Sequence, residues 1–308
     1  MPDRSVPLLG KNCYVSGMRD HIHTAEIDRT APPTARLLAR GRDWSVSEYV
    51  CNADASCRPF EEQHNRVTIA AVVEGSFNYR ADTGRALLHP GAFMLGNHGT
   101  CYECGHDHSA GDRCIALHLA PEYFAEIAAS AAGSGRYAFT AAMLPSMNRM
   151  LPQVASLERF TEADPLALAE VVPGIAAAVV RTLSGAPRSA SRVSARDERR
   201  VSVALHYIED HAAEPVDLEA LASVAAMSKY HFLRVFRQTV GATPYQFLLG
   251  MRMRRAAARL AGSGDSVSTI CFEAGFGDLS TFNRRFRNMF GVSPMAFRNA
   301  ESTKPCRI

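Results

Sequence analysis

The chain has 308 residues, which is long enough for two domains of ordinary size. It is 47% hydrophobic and 21% charged, a globular composition that excludes a disordered or fibrous protein. No apolar run approaches the roughly 20 residues that a membrane-spanning helix needs, and the amino terminus lacks the apolar core of a secretion signal. We therefore expect a cytoplasmic protein with no membrane partner.

The amino-terminal half changes texture along its length. Residues 42–121 contain short apolar runs separated by glycine and proline, which is typical of an antiparallel β-domain such as a small barrel. Residues 122–184 have a helical pattern, and Pro173-Gly174 should kink or split the last helix. That helix is more apolar than one packing face requires, so it is either buried against the β-domain or also part of a dimer contact.

A polar, small-residue segment, 185–196, interrupts the apolar pattern and is typical of a linker. It divides the chain into two predicted domains, 1–184 and 197–301. A short tail, 302–308, follows.

The net charge of +3 is unevenly distributed along the chain. Residues 228–298 contain eleven basic and three acidic side chains, which gives this segment a charge of +8 and leaves −5 for the rest. A basic segment joined to a mildly acidic one predicts a polyanion-binding domain with a separate partner domain.

Downstream of the linker the sequence repeats itself with an offset of about fifty residues, which indicates a duplicated structural unit. Each copy predicts a short helix, a close turn and a second helix. The predicted boundaries pair as follows: Asp217 with Ser266 as first N-caps, Ser228 with Asp278 where the second helices open, Gly241 with Gly291 as C-terminal glycines, and Thr243-Pro244 with Ser293-Pro294 where the next helices start.

The second helix of each copy has one apolar and one polar face. The apolar faces are predicted core: Phe232, Phe236 and Val240, and Phe282, Phe286 and Phe290. The opposite faces are predicted to bind double-stranded DNA: Tyr230, Leu233, Arg234 and Arg237, and Ser280, Thr281, Asn283, Arg284 and Arg287. Arginine can bind guanine through two hydrogen bonds, and serine, threonine and asparagine suit base edges or phosphate oxygens. Arginines on one exposed helix are usually only solvated, but two matched faces in a basic segment favour DNA binding.

Residues 244–261 form a predicted helix that can hold the two copies in a fixed relation. Two recognition helices held about 34 Å apart could enter successive major grooves. We assign the arginines of the connecting helix to backbone phosphates or salt bridges rather than to base reading: Arg252, Arg254, Arg255 and Arg259.

At these residues the chain resembles the AraC/XylS family of bacterial transcription regulators, over about 100 residues from Val201 to Arg298. The second copy carries the matching signature: Gly275-Phe276, Asp278, Ser280, Phe282, Arg284, Phe286, Arg287, Gly291, Ser293-Pro294 and Phe297-Arg298. The resemblance implies seven helices in two subdomains, with recognition helices starting near Ser228 and Leu279, and RNA polymerase as a partner. Cys271 departs from the alanine that is common in the family, and we expect it to be a buried small residue.

Members of this family often carry a cupin-like β-barrel that senses an effector, followed by dimerising helices. The resemblance therefore implies a multidomain α+β protein: a cupin-like barrel with trailing helices, then an all-α double helix-turn-helix domain. It also implies a homodimer. For residues 42–184 this likeness is architectural, so the effector, the target promoters and the choice between activation and repression stay open.

Eight cysteines in a reducing compartment favour buried thiols, a metal site or a redox site over a disulfide framework. Five potential ligands lie within 14 residues: Cys101, Cys104, His106, His108 and Cys114. Thiolate and imidazole bind zinc and other transition metals. Ligands from neighbouring strands could complete such a site: Cys51, Cys57, His64 and His98. Isolated histidines such as His21, His89 and His118 are expected to be ordinary packed or surface residues.

Two other interpretations of the same residues stay open. A β-turn with reduced, partly buried thiols would have no function, whereas a thiol switch would need a lowered pKa, which Arg113 or nearby histidines could provide for Cys114. A metal- or thiol-dependent enzyme, cupin-type or alkyl-accepting, is the alternative from another class. No acid/base constellation favours an enzyme, so the sequence predicts a transcription regulator controlled by an effector, a metal or a thiol-redox signal.

Overall fold

The computed structural model describes residues 33–52, 59, 61–105, 111–147, 150–158, 165–185 and 193–302. For a few of these residues only the backbone is described: Ser156, 165–170, Tyr230 and 301–302. Several cysteines and histidines lie outside the described residues: Cys13, His21, Cys57, His106, His108 and Cys306.

The amino-terminal part is rich in β-structure. Its described strands are β1 (Thr34–Arg40), β2 (Trp44–Cys51), β3 (Glu61–Gln63), β4 (Val67–Gly75), β5 (Phe77–Ala81), β6 (Gly84–Leu88), β7 (Phe93–Gly96), β8 (Cys101–Gly105), β9 (Asp112–Leu119) and β10 (Met143–Leu144). They form two antiparallel sheets, one in the order β1-β2-β9-β4-β7-β10 and one in the order β3-β8-β5-β6. The prediction of a β-rich domain is confirmed, and its strands form these two antiparallel sheets.

Strand β4 explains why the apolar run at its position is continuous rather than alternating. Ile69 and Ala71 face a core that the six-stranded sheet shares with helices, while Ala70 and Val72 face a second core between the two sheets. Since successive side chains point to opposite faces of a sheet, a strand covered on both faces must be apolar throughout.

Three helices follow: α1 (Pro121–Ala132), α2 (Leu151–Glu158) and α3 (Pro165–Ser184). Helix α3 continues through Pro173, so the predicted split does not occur. Its apolar side chains, among them Ile175 and Val179, are buried in the core beneath the six-stranded sheet. This placement accounts for the excess of apolar residues by burial within the chain.

The prediction of a helical pattern throughout residues 122–184 is wrong at residues 143–144. Met143 and Leu144 form β10 and pair with β7, and the helix begins only at Leu151. Pro145 contributes to this difference because the residue before a proline disfavours the helical conformation.

The described residues 193–302 form seven helices, which confirms the number that the family resemblance implies. They are α4 (Ala195–Asp210), α5 (Leu218–Val224), α6 (Lys229–Val240), α7 (Pro244–Gly262), α8 (Val267–Glu273), α9 (Leu279–Phe290) and α10 (Pro294–Ser302). Helix α4 begins inside the segment predicted as linker, and the proposed domain limits stay a prediction.

The predicted helix boundaries of both repeat units are confirmed. Each of five predicted N-cap side chains accepts a hydrogen bond from the backbone three residues on: Asp217, Ser228, Thr243, Ser266 and Asp278. Gly241 and Gly291 end α6 and α9 in the left-handed conformation, with φ of +79° at both. A glycine adopts this conformation without the steric cost of a Cβ atom, so each helix stops where the sequence predicts.

Each repeat unit has its own core, and α7 contributes to both. Phe232 and Phe236 are fully buried in the first core together with Met251, and Phe282 and Phe286 are fully buried in the second. Cys271 is fully buried in the second core, as expected for a small residue at that position. Helix α7 therefore connects the units through packing as well as through the chain.

The β-rich part is packed against the helical part through what we call the docking interface. Helix α2 packs on α7 and α9, and β6 with the turns beside it packs on α4, α6 and α7. Its contacts are the ion pairs Glu158–Arg254 and Arg85–Glu198, the hydrogen bonds Gly75–Glu209 and Ser76–Ser202, the ring contact His89–Phe247, and the burial of Leu87 and Ala155 in the cores of the first and second unit. Among the described helices, none is long and apolar enough to cross a membrane.

Candidate nucleic-acid interface

Helix α6 presents the predicted DNA-reading residues of the first unit. Leu233, Arg234 and Arg237 are exposed, on the side opposite the buried phenylalanines. The Arg234 guanidinium lies 3.1 Å from His231 Nδ1 and 3.4 Å from Gln238 Oε1, both on the same helix. These contacts hold the guanidinium along the outer surface of α6. For Tyr230 only the backbone is described, so the role of its side chain stays a prediction.

Helix α9 presents the matching residues of the second unit. Ser280, Arg284 and Arg287 are exposed, while Thr281 and Asn283 are half-buried at the edges of the face. Arg284 and Arg287 lie one turn apart on the same side of the helix, and neither forms an ion pair with another described residue.

The start of α9 is fixed by Asp278. Its carboxylate accepts the backbone N–H of Thr281 at 2.7 Å, and this hydrogen bond holds the pKa of Asp278 below its usual range. The aspartate is therefore ionised at neutral pH, and its negative charge stabilises the positive N-terminal end of the helix.

An open groove of about 530 Å³ runs along α9 and was not anticipated from the sequence. Its lining includes Arg284, Arg287, Asn288 and the cap of α10, Ser293. Two cationic side chains beside a helix N-terminus favour an anionic ligand, such as a DNA phosphate. The sequence contains a signal for this groove, because Ser293-Pro294 marks the start of a helix that follows the second recognition helix.

The arginines of α7 do not have one common role. Arg254 pairs with Glu158 at 2.7 Å, and Arg259 pairs with Asp265 and Glu273, so for these two the predicted salt bridges are confirmed. Arg252 instead donates to backbone carbonyl oxygens of both units.

Arg255 is the arginine of α7 that stays open to a phosphate. It is exposed and makes a 3.3 Å hydrogen bond to the carbonyl oxygen of Glu209. Several arginines of the basic segment therefore form ion pairs or hydrogen bonds within the protein. The arginines that face outward lie on α6 and α9.

The cysteine-histidine segment is only partly described. Cys101, the first residue of β8, is in a disulfide bond, so the expectation of a reduced thiol there is wrong. The described Cys51, Cys104, Cys114 and Cys271 carry free thiols, so the other half of the disulfide lies outside the described residues.

The predicted activation of Cys114 by Arg113 is wrong. The Arg113 side chain points to the opposite face of β9 and bonds to Glu48 at 2.8 Å. Burial between the sheets raises the pKa of Cys114 and of Cys104 well above the usual thiol value, and the nearby Asp112 carboxylate raises both further. Both groups are therefore protonated and unreactive at neutral pH.

No group of three or more histidine, cysteine, aspartate or glutamate side chains in the described ranges is arranged to hold a metal ion. Cys101 is not a thiolate ligand while it is in a disulfide, and His98 lies on an exposed turn, bonded to the carbonyl oxygen of Asn65. Since His106 and His108 lie outside the described residues, the metal site stays a prediction.

A cluster of histidines and tyrosines between the two sheets has no clear signal in the sequence. His64 Nε2 lies 2.8 Å from the Tyr79 hydroxyl, and its ring stacks on Tyr102 at 4.1 Å between ring centroids. Burial lowers the pKa of His64 and of His118 to about 4, so both are neutral at pH 7. A Cβ atom at Gly96 would lie 2.3 Å from His64 Nε2, so only glycine leaves room for this ring.

Comparison with known proteins finds similarity in the helical part of the chain. A sequence model of the family described as "Helix-turn-helix domain" matches residues 221–300. The chain is 38% identical over 101 residues to the HTH-type transcriptional activator RhaS of Escherichia fergusonii, covering 33% of this chain and 36% of that protein. It is 41% identical over 85 residues to the bifunctional transcriptional activator/DNA repair enzyme Ada of Escherichia coli, covering 28% of this chain and 24% of that protein.

Solved structures include two similar chains. The DNA-binding domain of AdpA, a global transcriptional factor in complex with a target DNA, has 31% identity and a TM-score of 0.34, covering 35% of this chain and 98% of that one. Fatty-acid-bound ToxT of Vibrio cholerae has 9% identity and a TM-score of 0.33, covering 84% of this chain and 95% of that one.

The helical part is thus a double helix-turn-helix domain of the kind that binds DNA. It is an AraC-type DNA-binding domain, which confirms the resemblance to the AraC/XylS family in this region. The chain spans little more than a third of the length of the first curated relatives that it matches, at 36% to 38%.

Proposed function

We propose that this chain is a sequence-specific transcription regulator of the AraC/XylS type whose DNA binding is controlled by its β-rich domain. The observation that carries the proposal is the pair of recognition helices, α6 and α9, with exposed arginines at matching positions. The base- and phosphate-contacting residues in this proposal are Tyr230, Leu233, Arg234, Arg237, Ser280, Thr281, Asn283, Arg284 and Arg287. The relative RhaS is named as a transcriptional activator, which supports the same role here.

In the full proposal the protein acts in the cytoplasm as a homodimer, and its partners are double-stranded DNA and RNA polymerase. Residues 1–184 form the sensor and dimerisation domain, built on a cupin-like β-barrel, and residues 197–301 form the DNA-binding domain. The two antiparallel sheets with helices packed outside them support this assignment.

Control by the β-rich domain does not require it to cover the DNA-reading faces. Arg234, Arg237, Arg284 and Arg287 are exposed while the docking interface is formed. That interface contacts α7, the helix shared by the cores of both units, and it also reaches α6 through β6 and α9 through α2. A change in the β-rich domain therefore acts on how the two recognition helices are presented to DNA.

The disulfide at Cys101 favours a redox signal among the candidate inputs. Strand β8, which begins at Cys101, lies between β3 and β5 in the four-stranded sheet, so breaking the bond would remove a covalent restraint on an inner strand of that sheet. A small-molecule effector and a metal are the other inputs compatible with the sequence. An enzyme fused to a DNA-targeting domain is the alternative from another class.

The test is selection of duplexes from a random library with the purified full chain, followed by salt titration on the selected sequence and on a scrambled control. We expect one enriched motif and an affinity that falls steeply with salt, because each phosphate contact releases counterions. Equal affinity for the selected and scrambled duplexes would overturn the proposal.

A further inference from the structure

Arg252 makes an unusual set of contacts from the middle of α7. Its Nε donates to the carbonyl oxygen of Ala212 at 2.6 Å, and its two Nη atoms donate to the carbonyl oxygens of Glu214 at 2.6 Å and Gly275 at 2.8 Å. The side chain is half-buried, and burial lowers its pKa from the usual arginine value, yet a guanidinium stays charged at neutral pH.

The three carbonyl groups belong to different repeat units. Ala212 and Glu214 lie in the loop that joins α4 to α5 in the first unit, and Gly275 lies in the turn that joins α8 to α9 in the second. Ala212 and Gly275 each follow the last residue of a helix by two positions, where the helix dipole is negative. The rigid fork of a guanidinium can satisfy three such acceptors at once, whereas a lysine ammonium is a compact charge that does not reproduce this planar geometry.

The two units also meet backbone to backbone beside Arg252. Gly275 has a φ of +84°, and a Cβ atom there would lie 2.7 Å from the carbonyl oxygen of Ala213. Any side chain at this position would push the turn of the second unit away from the loop of the first. The same turn leads directly into α9, so its position sets where that recognition helix begins.

We propose that Arg252 is a positioning residue that fixes the spacing between α6 and α9, and through it the spacing between the two DNA segments that the protein accepts. Arg252 contacts no base in this role. It holds the loop of the first unit and the turn of the second unit together, so that both recognition helices enter their grooves in one register. The inference rests on the proposed DNA binding.

The consequence differs from that of losing a base contact. Losing a base contact relaxes the preference at one position, whereas a loosened connection between the units relaxes the preference for one distance. Helix α7 would still join the units, so binding would persist with less selectivity for spacing.

The experiment compares the full-length wild-type protein with Arg252→Lys on the selected duplex and on duplexes with one base pair inserted or removed between the two contacted segments. For the wild type we expect each change of spacing to reduce affinity about tenfold or more, a loss comparable to that of a mismatched base pair. For Arg252→Lys we expect each of the same changes of spacing to reduce affinity by less than about threefold.

Arg259→Lys is the matched control on the same helix. The Arg259 guanidinium pairs with Asp265 and Glu273, which both belong to the second unit, so this variant should keep the wild-type ratio between spacings. Gly275→Ala is a second test that leaves Arg252 unchanged, and it should relax the spacing preference because its methyl group separates the two backbones.

Wild-type ratios between spacings in folded Arg252→Lys and in Gly275→Ala would overturn the inference, even if both variants unfold at lower temperature. A merely structural role would lower the melting temperature without changing the ratio. A wild-type protein that prefers no sequence would instead overturn the proposed function, and the inference with it.

Discussion

The arginines of the DNA-binding domain fall into two groups according to what their guanidinium groups contact. Arg252, Arg254 and Arg259 bond to carbonyl oxygens or carboxylates of the protein, whereas Arg284 and Arg287 form no ion pair with a described residue. An engaged guanidinium must lose those bonds before it can bind DNA, which costs free energy. This cost favours the exposed arginines of α6 and α9 for the proposed DNA contacts.

Replacing Arg284 by alanine should weaken binding to the selected duplex by about 1–3 kcal/mol and relax the preference at one base position, because a contact to a base edge is lost. The measurement is the affinity for the selected duplex and for each of its single-base variants. Arg285→Ala is the matched control, since that guanidinium lies 5.6 Å from the centroid of the Tyr245 ring. Equal loss of base preference in both variants would contradict the assignment.

His89 makes the stability of the protein depend on pH. It is fully buried at the docking interface, and burial lowers its pKa from the usual 6.5 to about 4. Between these two values the unfolded chain binds a proton that the folded chain does not, so the stability that is present above pH 6.5 is lost as the pH falls toward 4. For this histidine the loss is at most about 3 kcal/mol.

The test is denaturant unfolding at several values between pH 7 and pH 4, with wild type and His89→Phe. The phenylalanine keeps an aromatic ring against Phe247 but carries no titratable group. We expect the variant to lose less stability than the wild type over this range. His64 and His118 contribute in the same direction in both proteins, so identical curves would show that His89 is not the source.

At the scale of secondary structure, strands of the two sheets hold cysteines of different chemistry. Cys101 at the start of β8 is oxidised, while Cys104 on the same strand and Cys114 on β9 are buried thiols with raised pKa values. The Cys101 side chain reaches another cysteine, whereas the side chains of Cys104 and Cys114 point into the core between the sheets.

Replacing Cys101 by serine should lower the free energy of unfolding by roughly 2–4 kcal/mol, because the unfolded chain is no longer restrained by the disulfide. Reduction of the wild-type protein should have the same effect. Denaturant unfolding with and without reductant measures both.

Cys271→Ala is the matched control for the disulfide. This cysteine is a buried free thiol of the DNA-binding domain, so the variant should respond to reductant as the wild type does. A wild-type protein that unfolds identically in both conditions would contradict the disulfide.

At the scale of the whole molecule, the docking interface joins the β-rich domain to both repeat units. Its most buried ion pair is Glu158–Arg254, with side chains 10% and 4% exposed. Burial raises the pKa of Glu158, and the charge of Arg254 opposes this rise. Helix α2 therefore carries a polar contact that is stable only while both partners are present.

Replacing Glu158 by glutamine should destabilise the protein by about 3–5 kcal/mol, because Arg254 then stays buried without a counter-charge. The double variant Glu158→Met with Arg254→Met should recover most of this loss, since apolar side chains of similar volume fill the same space. Thermal unfolding of the single and double variants measures both effects.

Glu103→Gln is the control for the buried pair, because the Arg80–Glu103 pair is largely exposed at 3.7 Å and should contribute little. An equally small effect of Glu158→Gln would mean that α2 is not held on α7 by this ion pair.

Features that depend on neighbours along the chain can be predicted from the sequence alone. The caps at Asp217 and Ser266, the terminal glycines Gly241 and Gly291, and the polar faces of α6 and α9 all follow from local hydrogen bonding and helical spacing. The fifty-residue repeat made these features visible twice. The AraC-type domain could therefore be predicted from the order of residues alone.

Which of these residues are available to a partner depends on tertiary packing. Arg252, Arg254 and Arg259 look equivalent in sequence, yet each is held by groups whose positions depend on packing. The docking of α2 on α7 likewise joins residues far apart in the chain. Such contacts follow from how sheets and helices pack in three dimensions, which no local spacing in the sequence encodes.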